Sequence, residues 1–190
     1  SDVLGFIFLY KWGEDLSSEA DANICRELPS NMYFAKQIVK DACATHAVLS
    51  IVLNVDCEMS HDLCEFKKFT EDFDPTTKGL TIGSTDFLRI AHNSFIPLIS
   101  VEGEVSVEQE RASYHFISFV PFLGKTYELD GLDDLPICHG EIKDTFHDHV
   151  AEILKDRIDR SQHALLTFRA NKLSPGEISF NLLMICRDRI

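Results

Sequence analysis

The pattern of apolar and polar positions divides the chain into stretches of helical and strand-like periodicity. Helical spacing covers Ala42 to Leu53, Asp62 to Phe73 and Asp144 to Arg160, and Ser84 is placed to N-cap a fourth helix through DFLRIAHNSF. Strand-like runs occur at Leu4 to Trp12, before the first helix, and later at SYHFISFVPF, GKTYELDG and EISFNLLMICR. The second and third of these runs flank Leu123-Gly124, which predicts a tight turn and a hairpin.

The order of these elements predicts an α+β protein with a mixed or mostly antiparallel central sheet, because helices precede and follow a set of consecutive strands. Residues Ile96 to Arg111, IPLISVEGEVSVEQER, fit neither period. They mix Val and Ser with four Glu and are punctuated by Pro97 and Gly103. We interpret them as a long connection, and loops of that length are typically functional or disordered.

Composition and charge narrow the class of protein. The 190 residues are enough for one domain with a sizeable core. The formal net charge of −13 argues against a nucleic-acid binder and favours a neutral or basic partner, although it also fits plain solubility. The apolar runs are too short for a membrane span, and no cleavable signal is visible at the N-terminus. Six cysteines without CxxC pairs indicate free thiols in a reducing compartment.

Cys43 is a candidate nucleophile because it stands at the head of a predicted helix. The unpaired amides and positive dipole end of a helix N-terminus favour a thiolate over a thiol. The alternative is core packing, since free cysteines are often buried and the sequence ACATHAVLSIVLN that contains Cys43 is mostly apolar.

A cysteine nucleophile also needs an imidazole and a group that orients the imidazole. His115 lies within the strand-like SYHFISFV, and Asp130 ends the neighbouring run in YELDG, so a hairpin would bring the two together. Gln37, six residues before Cys43, could join the Cys43 amide as an oxyanion donor. Each residue also has a purely structural interpretation. His115 could be a half-buried strand histidine, Asp130 a turn residue before Gly131, and Gln37 a surface side chain.

Other chemistry is weakly indicated. His147 and His149 are two residues apart and diverge on a helix, and Cys138 with His139 adds no standard zinc spacing. The chain contains no GxGxxG or GxxxxGK[ST] phosphate motif. We therefore predict no metal site and no cofactor.

Four blocks together resemble the ubiquitin C-terminal hydrolase family. They are FAKQIVKDACATHAVLSIVLN, KGLTIGSTDFLRIAHNSF, YHFISFVPFLGKTYELDGL and ISFNLLMICRDR, which occur in the family order between Gly5 and Arg189. The similarity is greatest to the larger members, a proteasome-associated hydrolase and its nuclear tumour-suppressor relative. Asp41 stands where the proteasomal relative would have Asn, and residues 43–46, CATH, are more similar to the nuclear branch. The length of the segment Ile96 to Arg111, in contrast, favours the proteasomal branch.

The resemblance implies a papain-like fold in which helices flank the sheet and an active-site crossover loop, here Ile96 to Arg111, covers the cleft and contacts substrate. It implies Cys43 as nucleophile, His115 as general base and acid, Asp130 as the residue that orients His115, and Gln37 as oxyanion donor. The implied activity is thiol-dependent cleavage after the C-terminal glycine of ubiquitin, from an isopeptide or small adduct.

The resemblance also implies the setting of that activity. We expect residues 1–190 to form the catalytic domain, without the acidic N-terminal segment and the C-terminal helical tail of the family. The expected partners are ubiquitin and, through that tail, a proteasome ubiquitin-receptor subunit, with no nucleic acid or membrane and a location in cytoplasm and nucleus. The alternatives are a catalytically silent ubiquitin-binding module and a nuclear, histone-directed deubiquitinase.

Overall fold

The computed structural model describes residues 2–11, 24–94, 114–169 and 180–188. Five strands and five helices lie in these ranges. In chain order they are β1 (Val3–Lys11), α1 (Cys43–Val52), α2 (His61–Phe69), α3 (Pro75–Ser84), α4 (Asp86–Ser94), β2 (Tyr114–Phe122), β3 (Lys125–Leu129), β4 (Ile137–Glu141), α5 (Phe146–Arg169) and β5 (Phe180–Cys186).

The five strands form one sheet in the order β4-β3-β2-β1-β5, and each neighbouring pair is antiparallel. Strands β2 and β3 form the predicted hairpin. Leu123 and Gly124 at its turn have φ angles of 46° and 76°, as a two-residue type I′ turn requires. The strand period of two then sends alternate residues of each strand to opposite faces of the sheet.

Helical layers cover both faces of this sheet. Alternate residues of β1 and β2 pack against α5 on one face, in a cluster made of Phe6, Phe8, Tyr10, Ile117, Phe119, Phe146, Val150 and Leu154. On the other face, Ile7, Val120 and Leu129 pack against Ala47 and Ile51 of α1. A third cluster joins the outer side of α1 to α2, α3 and α4 through Leu49, Phe66, Ile82 and Leu88. Helix α1 is therefore buried between the sheet and the outer helices.

The predicted α+β architecture with an antiparallel sheet is confirmed. The first strand, the α1 helix and the hairpin occur close to their predicted bounds. The second predicted helix ends at Phe69 rather than Phe73, and the final helix continues to Arg169 rather than Arg160. The predicted crossover loop, Ile96 to Arg111, lies outside the described residues.

Helix α3 was not predicted, and one prediction beside it was wrong. Helix α3 begins within the segment DPTTKG: the Asp74 side chain accepts hydrogen bonds from the Thr76 and Thr77 amides, and Pro75 takes the first helical position. Ser84 is not an N-cap, since it is the last residue of α3, where its hydroxyl donates to the Thr81 carbonyl.

Strand β4 was not predicted. It is five residues long, ICHGE, and contains Gly140 with a φ of 92°, so its sequence carries little strand signal. Its pairing with β3 supplies what the local sequence does not. Among the helices in the described ranges, none is long and apolar enough to cross a membrane.

Candidate active site

His115 and Asp130 meet where the carboxyl end of β3 lies beside the amino end of β2. His115 is the second residue of β2, and Asp130 directly follows β3. The His115 Nε2 atom lies 2.7 Å from Asp130 Oδ2, and only 4% and 13% of the two side chains are exposed. The other carboxylate oxygen, Oδ1, accepts the Leu132 amide at 2.8 Å. The turn after β3 therefore fixes the carboxylate against the imidazole, as the hairpin prediction required.

Cys43 occupies the first position of α1. The N-cap, Ala42, makes no side-chain cap, and the first turn carries no acidic residue. The positive end of the helix dipole thus faces the half-buried thiol without a competing anion in that turn. Asp41 turns the chain into the helix with a φ of 61°, a left-handed conformation in which Asn and Asp are both enriched. Asp41 therefore suits the position where the resemblance led us to expect Asn.

The Cys43 side chain interacts electrostatically with the His115 imidazole, and its sulfur lies 3.9 Å from the Tyr114 carbonyl oxygen. Burial acts to lower the pKa of His115, but the hydrogen bonds and charges of Asp130 and Cys43 outweigh it and raise that pKa to about 9. His115 is therefore mainly an imidazolium at neutral pH. An imidazolium between a sulfur and a carboxylate can both stabilise a thiolate and donate a proton.

Gln37 lies in the extended segment that precedes α1. Its amide donates to the Gly131 carbonyl at 2.7 Å, which ties the segment to the residue after Asp130. A Cβ on Gly131 would come within 3.0 Å of the Gln37 Cβ, so the close approach requires glycine. The side chain of Gln37 is half-buried, and its role as an oxyanion donor stays a prediction.

A buried ionic cluster that the sequence analysis missed lies behind this site. The Glu128 carboxylate accepts from Arg157 at 2.6 Å and pairs with His139 at 2.8 Å, and Glu128 and Arg157 are 3% and 4% exposed. Burial acts to raise the pKa of Glu128, but the charges and hydrogen bonds of Arg157 and His139 together outweigh it and lower that pKa. The sequence signal was available, because Glu128 shares the β3 face that leads to Asp130.

Asp133 is the second acidic group near the imidazole. It belongs to the turn after β3, where its amide donates to the Asp130 carbonyl at 3.1 Å. Burial and the negative charges of Asp130 and Glu128 raise the pKa of Asp133 to about 6, against an opposing effect of His115. Asp133 therefore loses most of its charge below that pH, whereas Asp130 is directly paired with the imidazole.

The histidines considered for a metal have other partners. His139 pairs with Glu128, His149 lies 3.0 Å from the Thr126 hydroxyl, and His147 lies 3.2 Å from the Thr145 hydroxyl. No group of three or more potential metal ligands occurs in the described part of the chain. All six cysteines are free thiols.

The amino-acid sequence of the chain is similar to those of known proteins. The family model described as ubiquitin carboxyl-terminal hydrolase, family 1, matches residues 1–159. The chain is 36% identical over 194 residues to ubiquitin carboxyl-terminal hydrolase 2 of Schizosaccharomyces pombe, covering 99% of this chain and 60% of that protein. It is 38% identical over 191 residues to ubiquitin carboxyl-terminal hydrolase isozyme L5 of Dictyostelium discoideum, covering 98% of this chain and 50% of that protein. The chain therefore spans about half the length of these curated relatives.

A solved structure is similar in fold. The catalytic domain of Trichinella spiralis UCH37, crystallised bound to ubiquitin vinyl methyl ester, superposes with a TM-score of 0.72 at 28% identity, covering 98% of this chain and 77% of that one. This match confirms the expected papain-like fold class. Sequence, fold and the assembled Cys-His-Asp arrangement agree, and the chain belongs to the ubiquitin carboxyl-terminal hydrolase family 1.

Proposed function

We propose that this chain is a cysteine-type hydrolase that cleaves the bond after the C-terminal glycine of ubiquitin, in an isopeptide or a small adduct. One observation carries the proposal: a strand imidazole hydrogen-bonded to a turn carboxylate also interacts with a thiol at a helix N-terminus. Three separate elements supply these groups, and core packing alone does not require their alignment. The domain is proposed to include all 190 residues, since the sheet uses strands from Val3 to Cys186.

The proposed mechanism follows from the charge states of the three groups. The Cys43 thiolate attacks the glycine carbonyl carbon and forms a C–S bond, while the carbonyl electrons move to oxygen. The amine leaves with a proton from the His115 imidazolium, and a thioester remains. His115 then accepts a proton from water, which attacks the thioester and releases a carboxylate and the thiol. Asp130 holds the imidazole in orientation throughout.

Gln37 and the Cys43 amide are proposed to donate to the carbonyl oxygen as it becomes an oxyanion. The support is positional, because the hydrogen bond of Gln37 to Gly131 holds it beside the Asp130 turn. Loss of one such donor typically lowers kcat by about 10²–10³-fold.

Ubiquitin as substrate is supported by the family and by the ubiquitin vinyl methyl ester bound in the Trichinella spiralis structure. The net charge of −13 suits a basic substrate tail. The segment Ile96 to Arg111 is proposed to contact substrate as the crossover loop, on the sequence resemblance alone.

Action at the proteasome, through a ubiquitin-receptor subunit bound by a C-terminal tail, and a location in cytoplasm and nucleus also rest on the sequence resemblance. Affinity purification of the full-length protein tests this setting. Recovery of proteasome subunits supports it, whereas recovery of chromatin proteins alone supports the nuclear, histone-directed alternative.

Reaction with a ubiquitin C-terminal electrophile tests the proposed activity. Under reducing conditions we expect a single adduct whose mass maps to Cys43. Cys43→Ala abolishes the adduct and the turnover of a fluorogenic ubiquitin amide. Cys64→Ala is the matched control, because Cys64 is an exposed free thiol away from the site. An adduct on another cysteine contradicts the proposal, and tight ubiquitin binding without turnover supports the silent binding module instead.

A further inference from the structure

Two charged side chains that the proposed mechanism does not use lie on the face of the sheet that α5 covers. Glu128 of β3 and Arg157 of α5 are both buried, and the guanidinium Nη2 donates to Glu128 Oε2 at 2.6 Å. The Nε2 atom of His139, from β4, lies 2.8 Å from the same oxygen. One carboxylate oxygen thus joins β3 to a helix and to the neighbouring strand.

A buried aromatic ring contacts both partners of that carboxylate. Phe119 of β2 is the direct cross-strand partner of Glu128 and is fully buried. Its ring centroid lies 5.8 Å from the Arg157 guanidinium carbon and 5.8 Å from the His139 ring centroid. A cation at this distance from a ring is attracted to it. The ring therefore helps to hold both groups where they meet Glu128.

The same face of β3 leads to the carboxylate of the site. Glu128 and Asp130 are two residues apart, and the strand period of two places such residues on one face, about 7 Å apart along the backbone. Asp130 directly follows Leu129, the last residue of β3. In the described register, Glu128 is the last β3 residue that pairs with β4. It is therefore the final anchored point of β3 on its β4 side before Asp130.

Net stability is a poor explanation for this ion pair. Burying two charges costs desolvation, and well-packed apolar residues of similar volume are often as stable as a buried ion pair or more so. Arg157 also leaves Nε and Nη1 buried without a hydrogen-bond partner among the described residues. The pair does supply a short, directional contact at one carboxylate oxygen, and such a contact fixes the position of the strand that carries it.

We infer that Glu128 and Arg157 are positioning residues whose buried ion pair holds Asp130 in place against the imidazole of the site. The part of this inference that concerns catalysis rests on the proposed hydrolase function. The Leu132 amide holds the Asp130 carboxylate within its own turn, whereas the Glu128 bond ties the strand before that turn to α5. Helix α5 then acts on His115 through the end of β3.

Two variants and a control separate positioning from stability. Arg157→Met removes the donor and leaves the Glu128 carboxylate without its arginine. The double variant Arg157→Met, Glu128→Leu replaces the whole pair by apolar side chains, which should restore much of the lost stability. Val150→Ala is the control, because Val150 lies on the same helix and packs against the sheet. It loosens α5 and leaves the ion pair unchanged.

The first measurement is nuclear magnetic resonance titration of His115, which needs no activity. The described groups that raise the pKa of His115 are Asp130 and Cys43. Loss of the Arg157 charge by itself would leave that pKa unchanged or raise it, whereas displacement of Asp130 lowers it. We expect the pKa to fall by about 1 in Arg157→Met and in the double variant, and to stay unchanged in Val150→Ala.

Three results of this titration would overturn the inference. The first is a His115 pKa that is unchanged or raised in Arg157→Met. The second is an equal fall in Val150→Ala, which would show that loosening α5 is enough. The third is full recovery in the double variant, because apolar packing would then position Asp130 without the ion pair. If Arg157→Met does not fold, the double variant decides by the same criteria.

The second measurement is steady-state hydrolysis of a fluorogenic ubiquitin amide. We expect kcat to fall about tenfold in Arg157→Met and in the double variant, with KM within about twofold, because Asp130 acts on His115 in the transition state. The alkaline limb of the pH profile should move to lower pH with the His115 pKa, which lost stability alone would not produce. Unchanged kcat with a lowered pKa would overturn the catalytic part. An inactive wild type would refute the proposed function instead, and the His115 pKa would still decide whether the pair positions Asp130.

Discussion

Replacing Asp130 by Asn tests whether its carboxylate keeps His115 protonated. The substitution preserves size, and the remaining carbonyl oxygen can still accept the Leu132 amide that now bonds to Oδ1. It removes the negative charge that lies 2.7 Å from the imidazole. Since the turn is retained, a change in His115 titration reports the lost charge rather than a lost fold.

The magnitude follows from the pKa of His115, which is raised from 6.5 to about 9. At about 1.4 kcal/mol per unit, the folded protein favours the imidazolium by about 3 kcal/mol relative to the unfolded chain. An adjacent opposite charge typically changes a side-chain pKa by about 1–3. We therefore expect the pKa of His115 in Asp130→Asn to fall to about 6–8, with Cys43 accounting for the remainder.

The shift also fixes the sign of a stability effect. Because the folded pKa of His115 lies above its unfolded value, the stabilisation is fully present below pH 6.5 and is lost as pH rises through about 9. The unfolding free energy of Asp130→Asn should therefore be lower than that of the wild type at pH 6, and the deficit should shrink by pH 10.

Nuclear magnetic resonance titration of the His115 Cε1 proton between pH 5 and pH 10 measures the pKa directly. Asp134→Asn is the control, because it makes the same charge change on an exposed residue that pairs with Lys36. A His115 pKa that stays near 9 in Asp130→Asn, or that falls equally in both variants, would refute the reasoning. If the proposed function holds, the alkaline limb of kcat/KM should move with the pKa.

Three further predictions concern the buried framework around the site. Gly79→Ala should cost about 2 kcal/mol or more and lower activity, because its Cβ would lie 1.9 Å from a main-chain oxygen next to the proposed oxyanion donor. Gly83→Ala, which meets a movable side chain, should cost less in thermal unfolding, and equal losses would contradict the argument. Arg157→Met should cost about 3–5 kcal/mol in urea denaturation, because the buried Glu128 carboxylate loses its arginine partner. Adding Glu128→Gln should recover part of that loss, and no recovery would refute the pairing. The folded pKa of His46, about 4, lies below 6.5, so the difference in unfolding free energy between wild type and His46→Asn should change by about 3 kcal/mol against the wild type from pH 6.5 to pH 4. Parallel pH profiles of the two proteins would contradict it.

The parts of the fold that the sequence predicted are those whose signal is local. The period of β1 and β2, the Leu123-Gly124 turn and the apolar α1 helix each contain their own evidence. The hairpin register pairs Ser118 with Leu129, and the residues just beyond this pair, His115 and Asp130, are close enough to hydrogen-bond.

The missed elements depend on their neighbours. Helix α3 reads PTTKGLTIGS, with two glycines and three β-branched threonines that lower helix propensity. Its one local signal is the Asp74-Pro75 start, an N-cap followed by proline at the first helical position. Strand β4 exists because β3 pairs with it.

The supporting residues of the site could not be located from sequence in the same way. Arg157 lies on the apolar stripe of α5, seven residues after Val150 and three after Leu154, but its spacing does not reveal a partner. Only the packing of α5 against the sheet places it beside Glu128. His46 likewise reads as a polar interruption in an apolar helix. Only the fold shows that this side chain is buried, with 4% of it exposed.

The division of the site between a hairpin and a distant helix has a consequence for folding. His115 and Asp130 are 15 residues apart, whereas Cys43 and Tyr114 are separated by 71. Closing the longer loop costs about 1.4 kcal/mol more in chain entropy, and an isolated hairpin forms in about 1–10 μs. We expect the imidazole and carboxylate to meet early during refolding, while the thiol reaches them only as the core condenses. In a nascent or partly unfolded chain, Cys43 would then react like an ordinary cysteine. Its enhanced reactivity would develop only when folding is complete.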